Sequence, residues 1–562
     1  KIFKGFAIFL SVVFVVVYLM IALLNTTIVQ SFTAAKVAEF FSKQWNTKVS
    51  IGSLNVSPFL HAGVKDVYVE DLQQDTLAYI SFIGANLSNI KSAKHIVVRN
   101  VEIKDITCHL SNSDKGMNFK FIIDYFKSDK KKEEKEQKEP FVLEIRKIDL
   151  SDINFKLKNL KNKTSIEEHL FASNDIEVSS SYLRAKNFVL SGGDINLEIE
   201  HLSLKERSGL NLKKLKGKVR VSPQNIYLKE SEIITDNTNF KTDINLYSNT
   251  YKTYSSFVDS VYMQISTSQD SYVGMQDAAY FAKQLQGAKQ RVFTFFNLKG
   301  TLSNLTINNL DVRSNNTQLK TYGSIKGLVD IENTFADLRI ENLNTSYEDV
   351  LNQSLGFINE KIPNVDLLKR LGNVMLKGEF RGKIKDFVSK ANIISDIGVV
   401  DVEAESKPKA NSTLYLAKIE SNGVNLSKLL NNNMLGTTSL NADASIVWNK
   451  NYRNGELFAN LHNFYFKDNI YDQVQVEGKL NDYDIDLDLN IKDKYADLKA
   501  KGQINYQNKP SIVLDAQASQ VDLHNMNLYS FADTNTILSA DIFANIQNFD
   551  LDSLNGEVRI KH

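Results

Sequence analysis

Apolar and polar residues alternate along most of this chain. The clearest stretch is Tyr483-Asp484-Ile485-Asp486-Leu487-Asp488-Leu489-Asn490-Ile491-Lys492, apolar at every odd position and polar at every even one. Successive side chains of a strand point to opposite faces, so this period of two predicts a sheet with one dry face and one wet face. The same alternation, less pure, predicts strands at 196–204, 458–466 and 497–504. Glycines at 217, 300, 378, 478 and 502 punctuate such stretches and mark bulges or bends.

One run breaks the pattern. Residues 5–24 carry no charge and include Phe6, Phe9, Leu10, Val13, Phe14, Val17, Leu19, Ile21 and Leu24. As a helix this run would be about 30 Å long, the thickness of a bilayer's hydrocarbon core. A cleaved leader usually has a shorter apolar region ending at small residues. Here the run continues into Asn25-Thr26-Thr27 with no such site, which predicts an uncleaved anchor over 1–30. Lys1 and Lys4 flank it on one side, and the next charge on the other is Lys36. The positive-inside rule then places the N-terminus in the cytoplasm and the rest of the chain across the membrane. No second run is long enough to span.

Residues 31–46 read as an amphipathic helix. Ser31 suits the N-cap, and Ala34, Val37, Phe41 and Trp45 share one face. The helix either packs on the first strands or lies at the membrane surface. Strand pattern then resumes over 47–127. A short motif recurs with apolar residues at its first, fourth and sixth positions and Asp or Asn at the third. It appears as Val64-Lys65-Asp66-Val67-Tyr68-Val69, at 103–108, at 150–155 and at 307–312. Asp and Asn tolerate turn conformations, so the third position is a break in facing. Over a longer stretch Val98, Val101, Ile103, Asp105, Ile106, Cys108 and Leu110 match Ile145, Ile148, Leu150, Asp152, Ile153, Phe155 and Leu157, always 47 residues apart. Between the copies, 128–140 is a run of cancelling Lys and Glu with nothing to bury, a solvated loop. Strands continue over 141–562, with helical insertions expected near 275–290, 348–372 and 425–435.

Composition narrows the function. Lys and Arg number 67 against 66 Asp and Glu, which removes the electrostatic case for nucleic-acid binding. The single cysteine, Cys108, excludes an intrachain disulfide and a thiolate metal cluster. The eight histidines are scattered, with no pair at metal-ligand spacing. Asp482, Asp484, Asp486 and Asp488 do not make a calcium loop, because Ile485 and Leu487 intervene and Leu489 stands where glycine is needed. Gly378-Glu379-Phe380-Arg381-Gly382 lies in a strand pattern and is no phosphate loop. No residue receives a catalytic role, no cofactor is expected, and an enzyme is the least expected class.

These features together resemble the TamB and AsmA-like family of envelope proteins. The resemblance rests on the order of loose patterns: the anchor, the helix, then Thr47-Lys48-Val49-Ser50-Ile51-Gly52-Ser53-Leu54 and Gly63-Val64-Lys65-Asp66-Val67. Leu376-Lys377-Gly378-Glu379-Phe380-Arg381-Gly382 and Asn425-Leu426-Ser427-Lys428-Leu429-Leu430 follow. It implies a mainly β fold, with one transmembrane helix leading into a long, curled, repetitive sheet whose inner face is an apolar groove. It further implies an inner-membrane protein with its bulk in the periplasm, carrying phospholipid between inner and outer membranes. An outer-membrane barrel of the Omp85 type is the implied partner, bound through a C-terminal domain that this sequence does not include.

Acyl chains cost roughly 0.8 kcal/mol per CH₂ when left in water, so a continuous dry trough would carry them without catalytic groups. The lining candidates are Leu150, Ile153, Phe155 and Leu157 from the repeat, and Ile485, Leu487, Leu489 and Ile491 from the clearest strand. Alternation alone does not separate an open groove from a closed core. Assembly of outer-membrane proteins by edge pairing, or a purely structural tether, are the alternative functions.

Overall fold

The computed structural model describes residues 30–57, 61–92, 95–128, 141–161, 167–328, 330, 332–352, 365–449, 452–494, 496–506, 511–525, 536–547 and 555–561. The predicted anchor at 5–24 and nearly all of the charged loop at 128–140 lie outside these residues. Among the described residues, no helix is long and apolar enough to cross a membrane. Strands dominate. Twenty-nine of them belong to one sheet, and Phe464–Phe466 with Asn469–Tyr471 form a separate hairpin. The chain divides into two compact units, Lys1–Phe295 and Phe296–His562.

The first unit opens with helix α1, Gln30–Trp45. Its helical turns already include Ser31, so Ser31 is not the N-cap. Ala34, Val37, Phe41 and Trp45 are buried as the 3.6-residue period requires, and the helix packs on the first strands. The strands are β1 (Val49–Ser57), β2 (His61–Glu70), β3 (Thr76–Ser92), β4 (His95–Ser113), the two-residue β5 (Gly116–Met117), β6 (Val142–Asn159) and β7 (Asp175–Ser191). Six more follow to Gly274. A second helix, α2 (Lys120–Ser128), was not expected from the sequence; it places Ile122 in the core and Phe121 6.4 Å from Trp45.

The internal repeat has a direct structural cause. Strands β4 and β6 pair in parallel, and the residues 47 apart are cross-strand partners: Val98 with Ile145, Ile103 with Leu150, Cys108 with Phe155 and Leu110 with Leu157. Parallel partners share a face, so they need the same pattern. The break at the third motif position is also real. Asp66, Asp105 and Asp152 all have positive φ, at 54°, 50° and 55°. This left-handed conformation lets Val64, Val67 and Val69, or their equivalents, stay on the core side of the break. Side chains secure the crease. Tyr79 donates to Asp66 at 3.1 Å, and Ser81 donates to the Lys104 carbonyl at 3.1 Å. The copy at 307–312 has a register shift between Ile307 and Leu310, with Asn309 in ordinary φ.

The predicted helix at 275–290 shrinks to Met275–Ala278 and a 3₁₀ turn at Lys283–Leu285. Buried Asp277 ties this insertion to the neighbouring turn by accepting from Thr238 at 2.6 Å and from Thr235.

In the second unit each long strand pairs antiparallel with the next along the chain, from Asn304–Ser314 to Asn555–Lys561. Among the described strands, only those of the Phe464–Tyr471 hairpin are skipped, so Arg453–His462 pairs directly with Val474–Asn481. Helices Tyr347–Asn352 and Val365–Arg370 fall within the expected 348–372 insertion, apart from Tyr347, and Leu426–Leu430 within the expected 425–435 one. Asn425 caps the last by accepting from the Lys428 amide at 3.0 Å.

Candidate functional site

The antiparallel register of the second unit assembles the alternating residues into rows that cross the strands. The row through Leu489 runs from Ile340 through Val402, Ile419 and Val476 to Ile542 and Ile560. Every position in it is aliphatic or glycine. The row through Leu487 runs from Leu338 to Val558, and Ser389 is its one polar side chain. The row through Ile485 includes Tyr415, Ile446, Leu480, Ile504 and Ile512. Hydroxyls on this face turn back onto the sheet: Ser406 donates to the Lys385 carbonyl at 2.9 Å and Thr321 to the Arg339 carbonyl at 2.9 Å. With their donors satisfied, they interrupt the apolar surface little.

Among the described residues, no segment covers the middle of this face. Ile485, Leu487, Leu489, Val402, Ile419 and Val476 are all half-buried. The residues buried along it are mostly alanines recessed between larger neighbours, such as Ala442, Ala459 and Ala500. Larger side chains are sealed where the Phe464–Tyr471 hairpin folds over the end of the rows, burying Tyr471, Val474 and Ile491, and locally at Leu305, Ile307 and Val424. The Tyr471 hydroxyl there has no hydrogen-bond partner among the described residues, and burial pushes its pKa up.

The two sets of lining candidates therefore differ. Leu150 and Leu157 are each 4% exposed in the closed core of the first unit, and Ile153 and Phe155 pack against the same cluster. Ile485, Leu487 and Leu489 stand on the open face of the second unit, and Ile491 is buried at its hairpin-covered end. The sequence missed Val402, Ile419 and Ile542, because their membership depends on strand register as well as on alternation.

Glycines shape the open face. Gly478 and Gly502 sit in unbroken ladders and are not bulges. Across the strands they alternate with leucine in the order Leu457, Gly478, Leu487, Gly502, Leu514. A Cβ at Gly502 would meet no atom within 4 Å.

The opposite face carries ion pairs between neighbouring strands, including Lys390–Glu403 at 2.6 Å, Lys501–Asp488 at 3.5 Å and Arg339–Glu379. Lys390 holds the Glu403 carboxyl below its usual range. A trough of about 960 Å³ lies between these rows, lined by Glu379, Arg381, Lys390, Glu403 and Lys418 among others. Its charged lining is seven acids (Asp337, Glu379, Glu403, Glu405, Asp443, Glu456 and Glu477) against four cations (Arg381, Lys390, Lys418 and Lys479), so the trough is net acidic. Among the described residues, no group of three or more His, Cys, Asp or Glu side chains could hold a metal ion. Cys108 is buried, and burial pushes its thiol up to about 12.

Compared with known proteins, the chain matches no protein-family model, no curated protein and no solved structure.

Proposed function

We propose that this chain carries phospholipid between membranes, with acyl chains resting on the open apolar face of residues 296–562. In this reading it is an envelope protein of the TamB and AsmA-like kind, anchored in the inner membrane through 5–24, with the sheet curling into a groove. The observation that carries the reading is the set of in-register apolar rows whose large side chains remain half-exposed. Leaving them in water costs roughly 25 cal/mol per Å² of apolar area, and a lipid tail lying along them offsets that cost. A row from Ile340 to Ile560 supplies such contact without a polar barrier.

The test is mass spectrometry of lipid extracted from the purified full chain, beside a Leu487→Asp variant. Stoichiometric phospholipid that the variant loses while remaining folded supports the proposal. A lipid-free wild-type chain sinks it.

A further inference from the structure

The connections at 426–436 and 463–473 lie at the same end of the second unit's strands, and they build a small surface of their own. Residues 434–436 add to the Phe464–Tyr471 hairpin as a third strand. The Gly436 amide donates to the Tyr465 carbonyl at 3.1 Å, the Lys467 amide to the Met434 carbonyl at 2.8 Å, and Leu435 bridges Phe466. The two faces of this small sheet differ. Phe464, Phe466 and Tyr471 point into the core with Val474 and Ile491. Tyr465 and Ile470 are cross-strand partners on the outward face, and the Tyr465 ring fills the space beside Gly436. Met434 is out of phase with core-facing Leu435 and joins them. Ile470 is 57% exposed and Met434 47%, and Leu430, four residues earlier, is 55%.

Cations surround these residues. Lys428 is exposed, Lys467 is in the hairpin turn, and exposed Lys369 and Arg370 end the helix Val365–Arg370. That helix is held against Leu426–Leu430 by a 3.0 Å bond from Arg370 to the Leu429 carbonyl. The acids on these segments are Asp366, Asp468 and exposed Asp472, three against the four cations, and Asp468 accepts from the Tyr465 hydroxyl at 2.6 Å. Exposed aliphatic tips, a tyrosine with a polar end and an excess of cations match the chemistry of a membrane interface. Apolar groups enter the headgroup region there, and each Lys or Arg near an anionic surface adds electrostatic attraction.

We propose that this outward face of 430–436 and 465–470, with its four cations, docks the rim of the second unit on an anionic phospholipid membrane. The inference is independent of whether the apolar rows carry lipid. An Ile470→Cys variant of the full chain takes a fluorescent thiol label there, because buried Cys108 does not compete. The control is Ile384→Cys, also 57% exposed, in a turn at the opposite ends of the strands. Vesicles contain phosphatidylcholine with phosphatidylglycerol and a quencher on the acyl chains. The expected result is quenching at 470, none at 384, and at least a tenfold loss in apparent affinity with Lys369→Glu and Lys428→Glu together. Equal quenching at both sites, none at 470, or undiminished quenching in vesicles of phosphatidylcholine alone overturns the proposal. Shielding of the 470 label by protein concentration without vesicles would also overturn it and assign the face to a second copy of the chain.

Discussion

Replacing Gly502 with tryptophan would obstruct the apolar face while leaving the fold alone. Gly502 pairs with Leu487 on one side and Leu514 on the other, its φ is not in the left-handed region, and its missing Cβ points into open space. Glycine within a strand costs roughly 0.5–1 kcal/mol of backbone entropy, so Gly502→Trp should leave stability unchanged or raise it by about that amount. Its indole would stand where an acyl chain crosses from Leu487 to Leu514. Lifting two or three methylenes off the floor at roughly 0.8 kcal/mol each adds a barrier of about 2 kcal/mol. At 1.36 kcal/mol per decade this slows transit about thirtyfold. The assay is uptake of a phospholipid with a fluorescent acyl chain by the purified full chain from donor vesicles, read beside a thermal melt. Fast uptake by a variant with an intact melt would refute the assignment of this face as the lipid path.

Three further outcomes follow from the packing. Leu150→Ala should destabilise the first unit by about 2–5 kcal/mol, whereas Leu487→Ala, already half in water, should cost about 1 kcal/mol or less; urea unfolding compares them, and equal losses would contradict an open face. Tyr471→Phe removes a buried hydroxyl without a partner, so urea unfolding should show unchanged or greater stability, by up to about 1–3 kcal/mol. Asp270 is held at about 2, first by its bond from Lys241 and then by Ser268. A depressed carboxyl stabilises the fold above its unfolded value of about 3.9, and this contribution is lost as pH falls toward 2. Asp270→Asn should therefore lower Tm near pH 6 and match the wild type near pH 2, and a gap that persists at pH 2 would contradict the pairing.

Much of the fold was legible because its rules are local. The alternation of Asp484 to Lys492 became the strand Asp484–Asp493, and the break at Asp66, Asp105 and Asp152 became three left-handed residues. The 47-residue match became the β4–β6 pair, whose parallel direction the pattern alone did not reveal. Helix α2 was missed because Lys120–Ser128 is short and runs into a stretch of Lys and Glu that hides its apolar face. The separation of sealed from open lining was not legible either. Leu157 and Leu487 have the same alternating neighbours, and what covers them comes from segments distant in sequence: α1 and α2 join the core that holds Leu157, and none of the described segments seals Leu487.

The neighbour-to-neighbour pairing of the second unit bears on how such a chain could be made and could change length. Among the described strands, with the hairpin at 464–471 as the one exception, a strand's partners are the strands just before and just after it. Arrays of this type are stabilised by nearest-neighbour terms, and their contacts close early in synthesis. Each hairpin can thus add to a template already formed as the polypeptide emerges, with no wait for distant sequence. Removing one whole hairpin, such as the strands Val474–Asn481 and Asp484–Asp493, would shorten the array by two strand spacings, about 10 Å, and keep the facing of every remaining row.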